Sequence, residues 1–135
     1  MSSQDSGGRF INPPSMPQPV GYSHIAEVKR GKIFFISGQV ALDQTGKLVG
    51  EGDLHAQTQQ VFANLKSALE AVDASFNDVV KLTFYFLDIS QIQIVRDVRD
   101  QFVNVYHPPT STAVEVGRLA REGFLIEIDA VAVVP

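Results

Sequence analysis

Hydrophobic and polar positions alternate along this chain in two distinct rhythms. From Val79 to Leu87 the period is two: Val80, Leu82, Phe84 and Phe86 face one way, and Lys81, Thr83 and Tyr85 the other. That is a strand with one buried face. Before it, Leu54, Val61, Leu65, Ala68, Leu69 and Val72 recur at helical spacing, with Asp53 placed as an N-cap. After it, Ser90-Gln91-Ile92-Gln93 has the capping-box spacing, and Val95, Val98 and Phe102 follow as one stripe of a second helix. Pro108-Pro109 ends that unit.

Shorter runs complete the pattern. His24 to Val28 and Ile33 to Ser37 read as strands, and Lys29-Arg30-Gly31-Lys32 between them predicts a hairpin. A turn at Asp43-Gln44-Thr45-Gly46 leads to a short strand at Lys47 to Val49. Thr112 to Val116 and Phe124 to Val133 read as the closing strands. Residues 1–21 form a flexible or extended lead, because Pro13, Pro14, Pro17 and Pro19 forbid a regular helix. The expected order is β-β-(β)-α-β-α-β-β over a single domain, residues 1–135. This is a two-layer α+β fold with both helices on one face of a mixed sheet. In the last strand, Phe124, Ile126 and Ile128 are expected to face the helices, and Leu125, Glu127, Asp129 and Val131 to face away. Carboxylates mixed with Leu, Val and Tyr on that second face point to cover by another subunit.

Composition narrows the function. With 44% hydrophobic and 19% charged residues, 135 positions suffice for one core. Eleven basic against fifteen acidic residues leave a net charge of −4, against the basic face of a nucleic-acid binder. The absence of cysteine excludes a disulfide scaffold, a thiolate zinc site and a cysteine nucleophile. No apolar run approaches the roughly 20 residues of a membrane span. The first ten residues lack the basic and apolar regions of a signal peptide, so a soluble cytoplasmic protein is the expectation.

Candidate chemistry is sparse. Gly50-Glu51-Gly52 is too short for a phosphate loop and lacks its lysine. His24, His55 and His107 are isolated, without metal-ligand spacing, and Ser37 has no base suggested by spacing. No metal site and no cofactor are read. On residue chemistry alone the chain is a soluble, oligomeric α+β domain.

Several short motifs add to this. Asn12-Pro13-Pro14, Gly21-Tyr22-Ser23-His24 and Ile36-Ser37-Gly38-Gln39 come first, then Gln57-Thr58, Asn64-Leu65 and Asp78-Val79-Val80-Lys81. Val114-Glu115-Val116 and Ile126-Glu127-Ile128-Asp129-Ala130-Val131-Ala132 follow. In this order, over about 120 residues, they resemble the RidA (YjgF-type) family. The resemblance implies a chorismate-mutase-like fold, a homotrimer, and small-molecule ligands held in clefts between subunits. It also implies cofactor-free hydrolysis of reactive enamines and imines to 2-oxo compounds and ammonia. Such a site needs an acceptor for the attacking water, and Glu127 matches the family's position. Gly38 and Tyr22 match substrate-positioning places, with Ser37 beside them.

Three departures stand out. The family's carboxylate-binding arginine aligns with Ser111, so the usual substrate loses its cation and specificity is altered or reduced. Arg96 and Arg99 stand where the family often has Asn and Tyr; Arg96 is the first candidate for a relocated cation, ahead of Arg99 and Arg118. Asp73 replaces the glycine that commonly closes the first helix, at a conformational cost. The alternatives are a ligand-binding trimer without catalysis and, from older family labels, an endoribonuclease or translation inhibitor. The acidic charge and the lack of a histidine acid–base pair oppose the last of these.

Overall fold

The computed structural model describes residues 8–135. Six strands and two helices follow in the order β1 (Gly8–Ile11), β2 (Ile25–Val28), β3 (Lys32–Gln39), α1 (Leu54–Ala71), β4 (Val79–Phe86), α2 (Ile92–Arg99), β5 (Thr110–Glu115) and β6 (Ile126–Val134). The main sheet runs β3-β6-β4-β5. Only the β4–β5 pair is parallel; β6 pairs antiparallel with both β3 and β4. The inward row of β6 (Ile126, Ile128, Ala130, Ala132) packs in one core with Leu82, Phe84 and Phe86 of β4. Val61, Phe62, Leu65 and Leu69 of α1 and Val95 and Val98 of α2 close that core, so both helices cover one sheet face. Phe102, expected on the stripe of the second helix, lies instead in the turn past Arg99, where it stacks on Phe62 at 5.2 Å between ring centroids.

Helix α1 begins where Asp53 accepts the Ala56 amide. It ends at Asp73, whose φ of +56° makes it the one non-glycine residue in the left-handed region among those described. The strand expected in the centre of the chain forms, with a bulge between Val79 and Lys81. Past that bulge Val79 joins the buried row, and Val80 is only partly buried.

Four expectations are corrected. The hairpin over residues 29–32 does not form. β2 pairs instead with β1, which lies within the lead expected to be flexible or extended, while β3 pairs with β6. Gly31 turns the chain with a φ of +111° against the Val134 backbone, and the long β3–β6 ladder outweighs the local turn signal. The stretch 47–49 contributes one bridge, Leu42 to Leu48, because Asp43 already accepts from the Thr45 and Lys47 amides and fixes a tight loop. The capping box at Ser90 is absent: Asp88 accepts from Ser90 N–H and Oγ–H and starts a 3-10 turn that runs into α2. Leu125 packs against the core, because the strand proper starts one residue later and Gln57 holds the Leu125 amide at 2.9 Å.

Candidate active site

Motif residues in α1 hold loops. Fully buried Gln57 donates to the carbonyls of Gly50 and Gly123 and accepts from Leu125. Asn64 donates to the Val40 and Leu42 carbonyls. These polar side chains stay inside the helix face because each satisfies backbone groups that would otherwise be buried unpaired.

A second set of contacts positions Tyr22. Asn12 accepts the His24 amide at 2.7 Å, and the His24 ring bonds the Pro17 carbonyl and meets Tyr22 edge-on. Ser23 is stapled to the start of β5: its amide donates to the Pro109 carbonyl and its hydroxyl to that of Pro108. The motif around residues 12–24 therefore lays Gly21 and Tyr22 beside the outer edge of the sheet.

There a cavity of about 200 Å³ opens between α2, the β4–β5 edge and the Val20–Tyr22 segment. Its walls include Tyr22, Ser111, Arg96 and Arg99, over an apolar floor of Phe84, Phe86 and Val95. Ser111 reaches it because it pairs with Leu82 on the helix side of the sheet. Arg96 is exposed. Arg99 is not: its side chain is only 13% exposed, lies against Gly21, and contacts Asp100 at 2.9 Å. Arg99 is thus the deeper of the two cations, although both line the cavity. Arg118 is exposed. A contiguous α2 stripe was legible; the depth of Arg99 was not, because it depends on where the 20–22 segment crosses the helix.

Glu127, Gly38 and Ser37 lie elsewhere. Glu127 pairs with Tyr85 on the helix-free face. Its carboxylate lies directly over Gly38, so close that a Cβ there would sit 2.7 Å from Glu127 Cδ. Among the described residues it has no hydrogen-bond or ion-pair partner. The adjacent carboxylate on the same strand face, Asp129, is engaged by Tyr85 Oη at 3.0 Å. That bond, followed by partial burial and the charges of Asp129 and Glu127, pushes the Tyr85 phenol above its ordinary pKa. Ser37 is exposed, and its carbonyl accepts from Gln39. Within one chain the sheet separates the two groups: Tyr22, Ser111 and Arg96 come together, and Glu127, Gly38 and Ser37 come together. Among the described residues no three His, Asp or Glu side chains cluster as metal ligands, and no helix is long and apolar enough to cross a membrane.

The family model described as Endoribonuclease L-PSP matches residues 15–134. This chain belongs to that family, the RidA (YjgF-type) family. A RutC family protein of Pyrococcus horikoshii is 41% identical over 118 residues, covering 86% of this chain and 90% of the relative. A protein of Dermatophagoides farinae named 2-iminobutanoate/2-iminopropanoate deaminase is 31% identical over 127 residues, covering 93% and 96%. Among solved structures, a Yersinia pestis Rid-family protein of unknown function superposes with a TM-score of 0.84 at 39% identity, covering 95% of this chain and 99% of its own. The RidA-family fold thus accounts for the two helices on one mixed sheet.

Proposed function

We propose that this RidA-family chain is a cytoplasmic, cofactor-free imine hydrolase that works as a homotrimer, with altered specificity. One observation carries the reading: among the described residues Glu127 is an unpartnered carboxylate, held over the backbone of Gly38 on a sheet face that a single chain leaves open. Phe35 and Ile33 on that face are 81% and 51% exposed, which a lone subunit leaves in water at a hydrophobic cost. A second copy covering this face brings one subunit's Glu127 and Gly38 towards another's Tyr22 and Ser111, and the ligand then lies in the cleft between them. The deaminase name of the Dermatophagoides farinae relative supports the same reaction class.

The chemistry follows from the groups. Glu127 accepts a proton from water as its oxygen adds to the imine carbon. Glu127 returns that proton to the nitrogen of the tetrahedral carbinolamine; the hydroxyl proton then passes to nitrogen as the carbonyl forms and the C–N bond breaks, releasing ammonia and leaving a 2-oxo compound. Tyr22 and the Gly38 amide orient the substrate. No step needs a redox or metal partner. Ser111 in place of arginine removes a charge-assisted contact, and loss of such a partner costs about 2–5 kcal/mol. Imines derived from 2-aminoacrylate are therefore poor substrates.

The test couples mass to turnover. Light scattering should give three times 14.8 kDa, and Glu127→Gln should lower imine hydrolysis by about 10² or more without altering that mass. A monomer, or a fully active Glu127→Gln protein, refutes the reading. The Ser111 departure favours a second reading, a ligand-binding trimer without catalysis; it is adopted if imine turnover equals the uncatalysed rate. The family model's description names an endoribonuclease. The net charge of −4 and a cavity wall without histidine support imine chemistry over that one.

A further inference from the structure

The cavity beside Ser111 has a second lobe. The inner lobe, about 200 Å³, is floored by Phe84, Phe86, Ile92 and Val95. An outer lobe of about 390 Å³ is bounded by Gly21, Gln93, Asp100, Val105 and Pro108. Val20, Arg96 and Arg99 line both, so the two guanidinium groups stand between the aromatic-floored lobe and a more polar one.

Arg99 is the better placed of the two. Its Nε and Nη2 both bond a single oxygen, Asp100 Oδ1, at 2.9 Å, and Nη1 has no partner among the described residues. The plane of the guanidinium rests on Gly21, where a Cβ would come within 2.9 Å of Nη2; the φ of +78° there also favours glycine. Gly21 thus leaves room for the guanidinium against the backbone, at the wall of the cavity. Two cations against one carboxylate, Asp100, leave one positive charge at this boundary. The inner lobe asks for something different. An apolar cavity of about 150 Å³ holds a benzene ring, so this one has room for a phenyl-sized body. Ser111 leaves that room open, where a longer side chain reaching into the same lobe would fill it.

The geometry points to Arg99 as the residue that sets specificity: it binds the carboxylate of a monoanionic 2-oxo or 2-imino acid whose large apolar side chain fills the inner lobe. This rests on the hydrolase reading for the class of ligand, although the binding itself requires no turnover. Arg96, in solvent, adds long-range attraction and little else.

The experiment measures binding of phenylpyruvate to the full chain by calorimetry, beside pyruvate (charge without the body) and methyl phenylpyruvate (body without the charge). Phenylpyruvate should bind at least about 10-fold more tightly than either, and less tightly as salt rises. Arg99→Gln should weaken it about 10-fold or more, and Arg96→Gln less than about 3-fold. Asp100→Asn releases the fork from its internal partner and should tighten binding. That variant decides the matter if Arg99→Gln does not fold. Equal binding of pyruvate and phenylpyruvate, no phenylpyruvate binding, an unchanged affinity in Arg99→Gln, or no tightening in Asp100→Asn each overturns the assignment. Imine turnover by the Glu127→Gln protein is read in parallel. Arg99-dependent binding with turnover indifferent to Glu127 sinks the hydrolase reading alone. Glu127-dependent turnover with binding indifferent to Arg99 sinks this one alone.

Discussion

Replacing Gly38 with alanine separates the fold from the chemistry at the Glu127 site. The backbone at Gly38 does not require glycine, since its φ lies outside the positive range. What the new methyl group meets is the Glu127 side chain, 2.7 Å from Cδ and 2.9 Å from Cγ. Ordinary contact starts at 3.4 Å, so Cγ and Cδ must withdraw by roughly 0.5–0.7 Å, and the carboxylate oxygens by more. Glu127 is a flexible, partly exposed side chain at the edge of the proposed cleft, so it moves at a rotamer cost of about 0.5–1.5 kcal/mol. Alanine returns about 0.4–1 kcal/mol by restricting the unfolded chain. Stability should therefore change by less than about 1 kcal/mol, a shift in Tm of under about 4 °C. Activity should not be spared, because a misplacement of this size in a catalytic group costs about 10² in rate. The assay follows 2-oxo acid release from an imine generated in situ, with thermal unfolding on the same samples. Adding Glu127→Gln to Gly38→Ala should produce little further loss, because both act on one carboxylate. Full activity in Gly38→Ala would refute the role given to that carboxylate. An unfolded Gly38→Ala protein would refute the claim that only a movable side chain occupies the space.

The other expectations concern the cavity beside Ser111, the helix end, the buried clamp and one phenol. Ser111→Arg fills the inner lobe and adds a cation, so pyruvate affinity should rise about 10-fold while phenylpyruvate affinity falls, both read by calorimetry. Asp73→Gly relieves the left-handed backbone at the end of α1 and should add about 0.5–1 kcal/mol in urea unfolding; a loss would show that Asp73 serves some other purpose. Gln57→Leu keeps the volume but strips the Gly50, Gly123 and Leu125 backbone groups of their partner, so at least about 2 kcal/mol should be lost. Tyr85 holds its proton more tightly when folded, so its stabilising contribution is present below the ordinary phenol pKa and disappears as pH rises through the raised value. In Asp129→Asn the Tyr85 ring signal in NMR should titrate at lower pH, and no movement would show that the hydrogen bond is not the cause.

What the residues determined by themselves is whatever depends on local periodicity or on one residue's conformational range. The apolar stripe from Leu54 to Leu69 made α1, the alternation through Leu82, Phe84 and Phe86 made β4, and the Ile126–Ala132 row made β6. The left-handed helix end at Asp73 was legible through the family resemblance, which commonly places a glycine there. The motif series was enough to place the chain in its family. Strand partners were not legible: residues 25–28 and 32–39 carry a good turn between them and still belong to different sheets, because the β3–β6 ladder is a long-range contact with no local signature. The candidate site divides the same way. Glu127 could be singled out as an acid in an apolar strand. That it stands alone over Gly38, while Asp129 two residues on is bonded to Tyr85, depends on register across β3, β6 and β4. The two arginines three apart on α2 share an edge by helical geometry alone. Only the crossing of the Val20–Tyr22 segment, stapled through Ser23 to Pro108 and Pro109, decides that Arg99 is walled in and Arg96 is left in water. Burial is a property of what comes from elsewhere in the chain, and no window of sequence contains it.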